Sequence, residues 1–342
     1  MASRLKGMAA RLGYVLAAAA VGAPWFGCVA AAQTSCRSGD GWTWTCRGNA
    51  ADANVTPRPG LLLAGGGEDV DAAFRWLAEH ASGGDVVVLR ASGGDAYNEY
   101  IDGLGKVDSV ETLVITRPRA ARDPFVVDRV RKADAIFVAG GDQWDYVRMW
   151  KDTPLGDAIQ ARVDAGVPVG GTSAGLAILG EHVFTAAHDT VDSKTALADP
   201  HDRHVTLEHH FLRLPYMKDV ITDTHFMARD RMGRLLTFMS RTMEDGASRV
   251  RGIAVEEGAA VLVEGDGAAR VVGTGPAWFL QARPQPRDDF KAAPLEVHDV
   301  AVERVATGGT FDLTTWSGTT PTYRLDVDAG RLRSSRPDGG VY

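Results

Sequence analysis

Cysteine is scarce, with three residues in a chain of 342, and no Cys-x-x-Cys or cysteine–histidine spacing occurs. That leaves out a thiolate metal centre or a dithiol redox site. Basic charge is outnumbered: 37 Lys and Arg stand against 44 Asp and Glu, a net charge of -7. No general attraction to nucleic acid or to anionic lipid follows from such a balance, because both need a basic face. An apolar run of the ~20 residues that span a bilayer is also lacking, so no stable membrane insertion is expected. His-Glu-x-x-His is missing as well, and Gly65-Gly66-Gly67 lacks the Gly-x-Gly-x-x-Gly spacing of a dinucleotide loop. What is left is an ordinary globular composition, 45% hydrophobic and 24% charged, enough for one large domain or two modest ones.

The first 32 residues differ from the rest. Arg4, Lys6 and Arg11 form a positive segment, Tyr14 to Val21 an alanine-rich apolar core, and Val29-Ala30-Ala31-Ala32 a small-residue cleavage site. The pattern predicts a cleaved signal peptide and a secreted or periplasmic protein, with lipid attachment through Cys28 the minor alternative. Cleavage leaves Cys36 and Cys46 in residues 33–60, where an even pair in an exported chain predicts a disulfide.

From Leu61 apolar runs alternate with helical stretches. Leu61 to Leu63, Val86 to Leu89, Val110 to Thr116, Ala135 to Val138 and Val167 to Val169 are the apolar runs. Four of the five end in glycine-rich loops. Near-continuous hydrophobic strands between helices predict an α/β fold with a mainly parallel sheet covered on both faces and its site at the strands' carboxyl ends. This catalytic domain is expected over 61–282. Beyond Pro284 and Pro286 a C-terminal β extension covers 283–342, with Ser334 to Tyr342 reading as a frayed tail.

The fifth run enters Gly171-Thr172-Ser173-Ala174-Gly175. A strand running into Gly-x-Ser-x-Gly and straight on into small helix formers is what a nucleophile elbow requires. The N–H of Ala174 and one from Gly66 then face a developing oxyanion. A serine needs a base, and His225, at the end of Val220-Ile221-Thr222-Asp223-Thr224, follows the elbow in chain order. Four histidines, His201, His204, His209 and His210, could instead suggest a metal, but a polar surface loop is the better reading, and no metal or cofactor is assigned.

Gly171-Thr172-Ser173-Ala174-Gly175, Gly140-Gly141-Asp142-Gln143 and Asp223-Thr224-His225-Phe226 with Arg229, Arg231 and Gly233-Arg234 together resemble the cyanophycinases, serine peptidases related to the aspartyl dipeptidases. The resemblance covers roughly Leu61 to Leu280. It implies a three-layer sandwich like that of the class I glutamine amidotransferases, with Ser173 as nucleophile and His225 as general base. It also implies a pocket for β-linked aspartyl-arginine units shaped by Gln143, Asp223, Thr224, Arg229, Arg231 and Arg234. Thr224 stands where those peptidases typically carry glutamine. The resemblance places the orienting acid within about twenty residues after the serine; Asp189 is preferred there over Asp192 and Glu181. The expected substrate is cyanophycin or a similar β-aspartyl peptide, and a homodimer is among the assemblies allowed. Alternatives are an exported aspartyl or isoaspartyl dipeptidase and an inactive relative that only binds peptide or polymer.

Overall fold

The computed structural model describes residues 34–282 and 294–342. The expected signal segment, Cys28 and the join at Pro284 and Pro286 lie outside the described residues.

The five apolar runs form the parallel centre of one sheet. Their spatial order is Ser109–Ile115, Asp85–Arg90, Ala135–Val138, Val169–Thr172 and Gly60–Ala64. Side chains alternate along a strand, so Leu61 and Leu63 enter one core and Leu62 another. Leu62, Val86 and Phe137 pack with Phe74, Leu77 and Ile101 of helices Asp71–His80 and Ala96–Leu104. On the other face Leu63, Val87 and Ile136 meet Val126, Trp150 and Ile159 of helices Pro124–Arg131, Gln143–Trp150 and Pro154–Asp164. Each such side chain, fully buried, contributes on the order of 1.5–3 kcal/mol. The α/β class expected from the sequence is observed, but parallel pairing in this sheet is confined to these five strands, so the sheet as a whole is not the mainly parallel one expected.

Antiparallel strands extend this sheet to eleven. At one side Thr34–Gly39 and Trp42–Gly48 form a hairpin that pairs through Trp42–Gly48 with Ser109–Ile115, so the 33–60 segment is part of the main sheet. The expected disulfide is not formed: both cysteines are free. Ser35, not Cys36, stands opposite Cys46 in the hairpin register. An offset of one residue turns the two thiols to opposite faces, Cys46 inward and Cys36 to solvent. Burial pushes the Cys46 thiol up to about 12, which makes it inert.

A second sheet of eight strands packs on the first. In it Val220–Asp223 runs parallel between His182–Phe184 and Val250–Val255. Val183, Val220 and Ile253 face the first sheet's core, whereas Ile221, Ala254 and Trp278 meet Leu235, Leu236 and Phe238 of helix Met232–Glu244. After Val250–Val255 the turn at Glu256, Glu257 and Gly258 crosses to Ala259–Glu264 in the first sheet. The C-terminal strands Val297–Val305, Tyr323–Asp328 and Arg331–Ser334 continue the second sheet. The tail expected to fray is docked. Tyr323 Oη donates to the Val341 carbonyl at 2.8 Å, and the Tyr342 ring lies edge-on to Phe226 and Trp278. Its aromatic end has a cleft to fill, which composition alone did not reveal. Among the described residues no helix is long and apolar enough to cross a membrane.

Candidate active site

Ser173 leaves the strand Val169–Thr172 with φ 52° and ψ -119°, a strained conformation that costs on the order of 1–3 kcal/mol. The surroundings hold it there. Its N–H donates to the Ala64 carbonyl at 3.1 Å, and its carbonyl accepts from Ala177 at 3.0 Å, closing the short helix Ala174–Ala177. A Cβ at Gly175 would sit 2.0 Å from the Val138 oxygen, so the turn admits only glycine at that position. The Ala174 N–H is the first of the helix, where the backbone offers no intrahelical acceptor.

His225 follows the parallel strand Val220–Asp223 and its N–H donates to the Gly65 carbonyl at 2.9 Å. Its Nε2 lies 2.8 Å from Ser173 Oγ, and its Nδ1 lies 2.5 Å from Oε1 of Glu257. A carboxylate can only accept, so Nδ1 carries the proton and Nε2 presents its lone pair to the serine hydroxyl. Burial lowers the pKa of His225 from its ordinary value, with the Glu257 carboxylate opposing that shift. The ring is thus held neutral and oriented, able to take the Oγ proton. Gly66, at φ 98°, has the room it needs only because it has no side chain: a Cβ would lie 2.4 Å from His225 Cε1 and 3.1 Å from Ser173 Cβ. Gly66 therefore packs against the serine–histidine pair.

Asp189 does not take the place expected for the orienting acid. It lines the same cavity, but its Oδ1 accepts from the Thr190 N–H at 2.7 Å, and no bond joins it to His225. Asp192 caps helix Ser193–Ala198 by accepting from Thr195 at 2.7 Å, which lowers its pKa. Glu181 accepts from the Asp219 N–H at 2.5 Å and lies 3.1 Å from His210 Nδ1. Glu257 occupies the position instead, because Val250–Val255 lies parallel beside Val220–Asp223 and their carboxyl ends coincide. The neighbouring Glu256 is buried, and its carboxylate accepts from Met227 N at 2.5 Å and Ala228 N at 3.2 Å. One turn thereby fixes the histidine ring and the loop that follows it. A paired acid just past the strand Val250–Val255 was the signal in the sequence.

Ser173, Ala174 and His225 open on a cavity of about 480 Å³ whose lining includes Gln143, Asp223, Thr224, Arg229, Arg231 and Arg234. All six expected substrate residues thus meet in one place. Their states differ. Arg234 donates through Nε at 2.8 Å and Nη2 at 2.5 Å to the Asp223 carboxylate, and both residues are about 3% exposed. Arg234 also reaches Thr190 Oγ1 at 3.0 Å and lies over the Phe184 ring, so this pair is internal framework. Arg231 Nη1 donates to the Thr224 carbonyl at 2.8 Å and to Thr224 Oγ1 at 3.1 Å. Burial pushes its pKa down to about 10, which leaves it cationic near neutrality. Arg229 is half exposed, its Nε 3.9 Å from Glu257 Oε1. Gln143 Nε2 donates to the Phe184 carbonyl at 3.4 Å. Trp144 and Phe184, which the sequence reading did not single out, complete the apolar part of the wall.

The four histidines of the surface reading take separate partners: His201 with Glu244, His204 with Asp202, His209 with His182 and His210 with Glu181.

The family model for peptidase family S51 matches residues 95–271, more than half of the chain. The chain belongs to peptidase family S51. It is a serine peptidase by that membership. Among curated relatives, the cyanophycinase of Geminocystis herdmanii (strain PCC 6308) is 29% identical over 271 residues, covering 75% of this chain and 94% of that one. The cyanophycinase of Synechococcus elongatus is 25% identical and covers 75% and 80% respectively. Among solved structures, a peptidase from an acI-B1 Actinobacterium shares the fold, with a TM-score of 0.50 and 17% identity over 75% of this chain and 98% of that one. The range matched by the family model includes Ser173, His225 and Glu257.

Proposed function

We propose that this S51 peptidase hydrolyses cyanophycin, or a similar β-aspartyl peptide, to β-aspartyl-arginine dipeptides through an acyl-enzyme. The observation that carries the reading is the hydrogen-bonded chain from Ser173 through His225 to Glu257 at a cavity walled by Arg229 and Arg231. Ser173 Oγ attacks the backbone carbonyl while His225 Nε2 takes its proton; the oxyanion rests on the N–H groups of Ala174 and Gly66. His225 then protonates the leaving amine, and water, activated by the same nitrogen, releases the acyl group. Glu257 keeps the ring in the required tautomer and stabilises the imidazolium. Arg229 and Arg231 are guanidinium groups able to grip free carboxylates, which a polyaspartate chain supplies at its end. No step needs a metal or an organic cofactor.

The parallel centre with its elbow supports a sandwich of the class I glutamine-amidotransferase kind, and the N-terminal pattern supports export, so that the enzyme would act on external polymer. Incubation of the protein and its Ser173→Ala variant with insoluble cyanophycin, followed by mass spectrometry of the soluble fraction, tests the reading. Release of β-aspartyl-arginine by the parent alone establishes substrate and nucleophile together. Cleavage of simple aspartyl dipeptides without attack on the polymer would move the assignment to the dipeptidase alternative, in which Thr224 replaces the amide expected beside His225.

A further inference from the structure

Three arginines that cannot share one helical face all reach the cavity wall, and the reason is a single residue. Asp230 has φ 48°, a left-handed turn between Arg229 and Arg231, after which helix Met232–Glu244 begins. The turn is closed by Arg229 N to His225 O at 3.1 Å, Asp230 N to Met227 O at 3.1 Å and Arg231 N to Phe226 O at 2.9 Å. Helix Met232–Glu244 has no side-chain cap from its own N-cap residue, Arg231, and no acid in its first turn. Its first amide is nevertheless satisfied. The Met232 N–H donates to Tyr342 Oη at 3.0 Å, and Tyr342 Oη donates its own proton to Asp230 Oδ1 at 2.8 Å. Burial raises the pKa of Tyr342, so the phenol keeps that proton. The ring meanwhile packs edge-on to Phe226, the residue next to His225, at 5.6 Å between centroids. Its carbonyl accepts from Arg336, whose guanidinium lies over the Tyr323 ring, which fixes the approach of the tail.

We propose that Tyr342 is a positioning residue, a latch that supplies from the far end of the sequence both the helix cap and the partner for the strained Asp230, and so sets Arg229 and Arg231 in the cavity. One hydroxyl serves as acceptor and donor at once. Removing it leaves the Met232 amide and the Asp230 carboxylate without this partner, so the left-handed turn keeps its backbone bonds and the Ser193 Oγ bond to the Asp230 carbonyl but loses its tie to the tail. The inference rests on the proposed reading that these arginines bind a carboxylate-bearing substrate.

The test is Tyr342→Phe, which keeps the ring packing. Hydrogen exchange at the Met232 amide should accelerate at least tenfold with the melting temperature near the parent's. KM for β-aspartyl peptide should rise roughly three- to tenfold with kcat little changed, and binding of β-aspartyl-arginine to the Ser173→Ala background should weaken by the same factor. Combined with Asp230→Ala, the two changes should be non-additive, the double variant no worse than either alone. Unchanged exchange at Met232 overturns the latch. So does faster exchange with unchanged KM, which would make Tyr342 structural only. Should the unaltered protein neither cleave nor bind β-aspartyl peptides, the substrate reading falls, and the exchange result still decides whether the latch exists.

Discussion

The Glu257 carboxylate accepts the Nδ1 proton of His225 at 2.5 Å from the end of a strand that lies parallel to the histidine's own. Glu257→Gln keeps the shape but can donate an amide N–H in place of accepting one, which favours the wrong tautomer. We expect kcat to fall on the order of 10³- to 10⁴-fold. Asp189→Asn, in contrast, should leave kcat near the parent's, since Asp189 bonds to the Thr190 amide instead. Steady-state kinetics of the two variants against one substrate separate the two acids.

Acid inactivation should set in below the ordinary histidine value of 6.5, because burial depresses the pKa of His225. The sign follows from the chemistry. Only the neutral ring accepts the serine proton, so kcat/KM falls as pH drops through the folded-state pKa and is flat above it until another group titrates. In Glu257→Gln the carboxylate that favours the imidazolium is gone, so the residual activity should show its acid limb at still lower pH. A kcat/KM profile of both proteins measures the shift directly; a limb that moves upward contradicts the assignment.

Arg229 and Arg234 should fail in different ways. Arg229→Ala removes a half-exposed guanidinium and should raise KM roughly 10- to 100-fold, the equivalent of about 1.5–3 kcal/mol for hydrogen bonds to a charged group, with little loss of stability. Arg234→Ala removes both hydrogen bonds to the Asp223 carboxylate, about 3% exposed, and leaves it only Arg231 Nη1 at 3.6 Å, which should cost up to about 3–5 kcal/mol of folding free energy. Denaturant melts alongside kinetics distinguish a binding arginine from a framework one.

Gly66→Ala places a methyl 2.4 Å from the His225 ring at a φ of 98°. The imidazole has to shift away from Ser173, and a displacement near 1 Å costs catalysis on the order of 10²-fold. Expected is a large fall in kcat with the protein still folded. Retention of full activity would mean that the loop moves freely and does not brace the pair.

The pairing of Ser173 with His225 was legible because its signals are local. Gly171, Thr172, Ser173, Ala174 and Gly175 prescribe a turn whose conformation is decided within a few residues, and His225 ends an apolar strand in the same manner. The five parallel strands were legible for the same reason, since burial on both faces writes itself as continuous apolar runs. The arginines could be named from the sequence, yet which of them is free could not. That Asp223 absorbs Arg234 and Thr224 holds Arg231 depends on how helix Met232–Glu244 seats on its strand.

The sequence by itself determined the elbow, the histidine after its strand and the alternation that builds an α/β sheet, because each is a matter of backbone preference and side-chain period over a short span. Tertiary structure alone decided the third acid, the cysteine pair and the tail. Glu257 reaches His225 only through the pairing of two strands and a crossing between sheets, and Cys36 misses Cys46 by one step of register. Tyr342 finds the helix start 110 residues before it. Contacts between segments far apart in the chain are fixed by which surfaces pack together, and no local pattern records that choice.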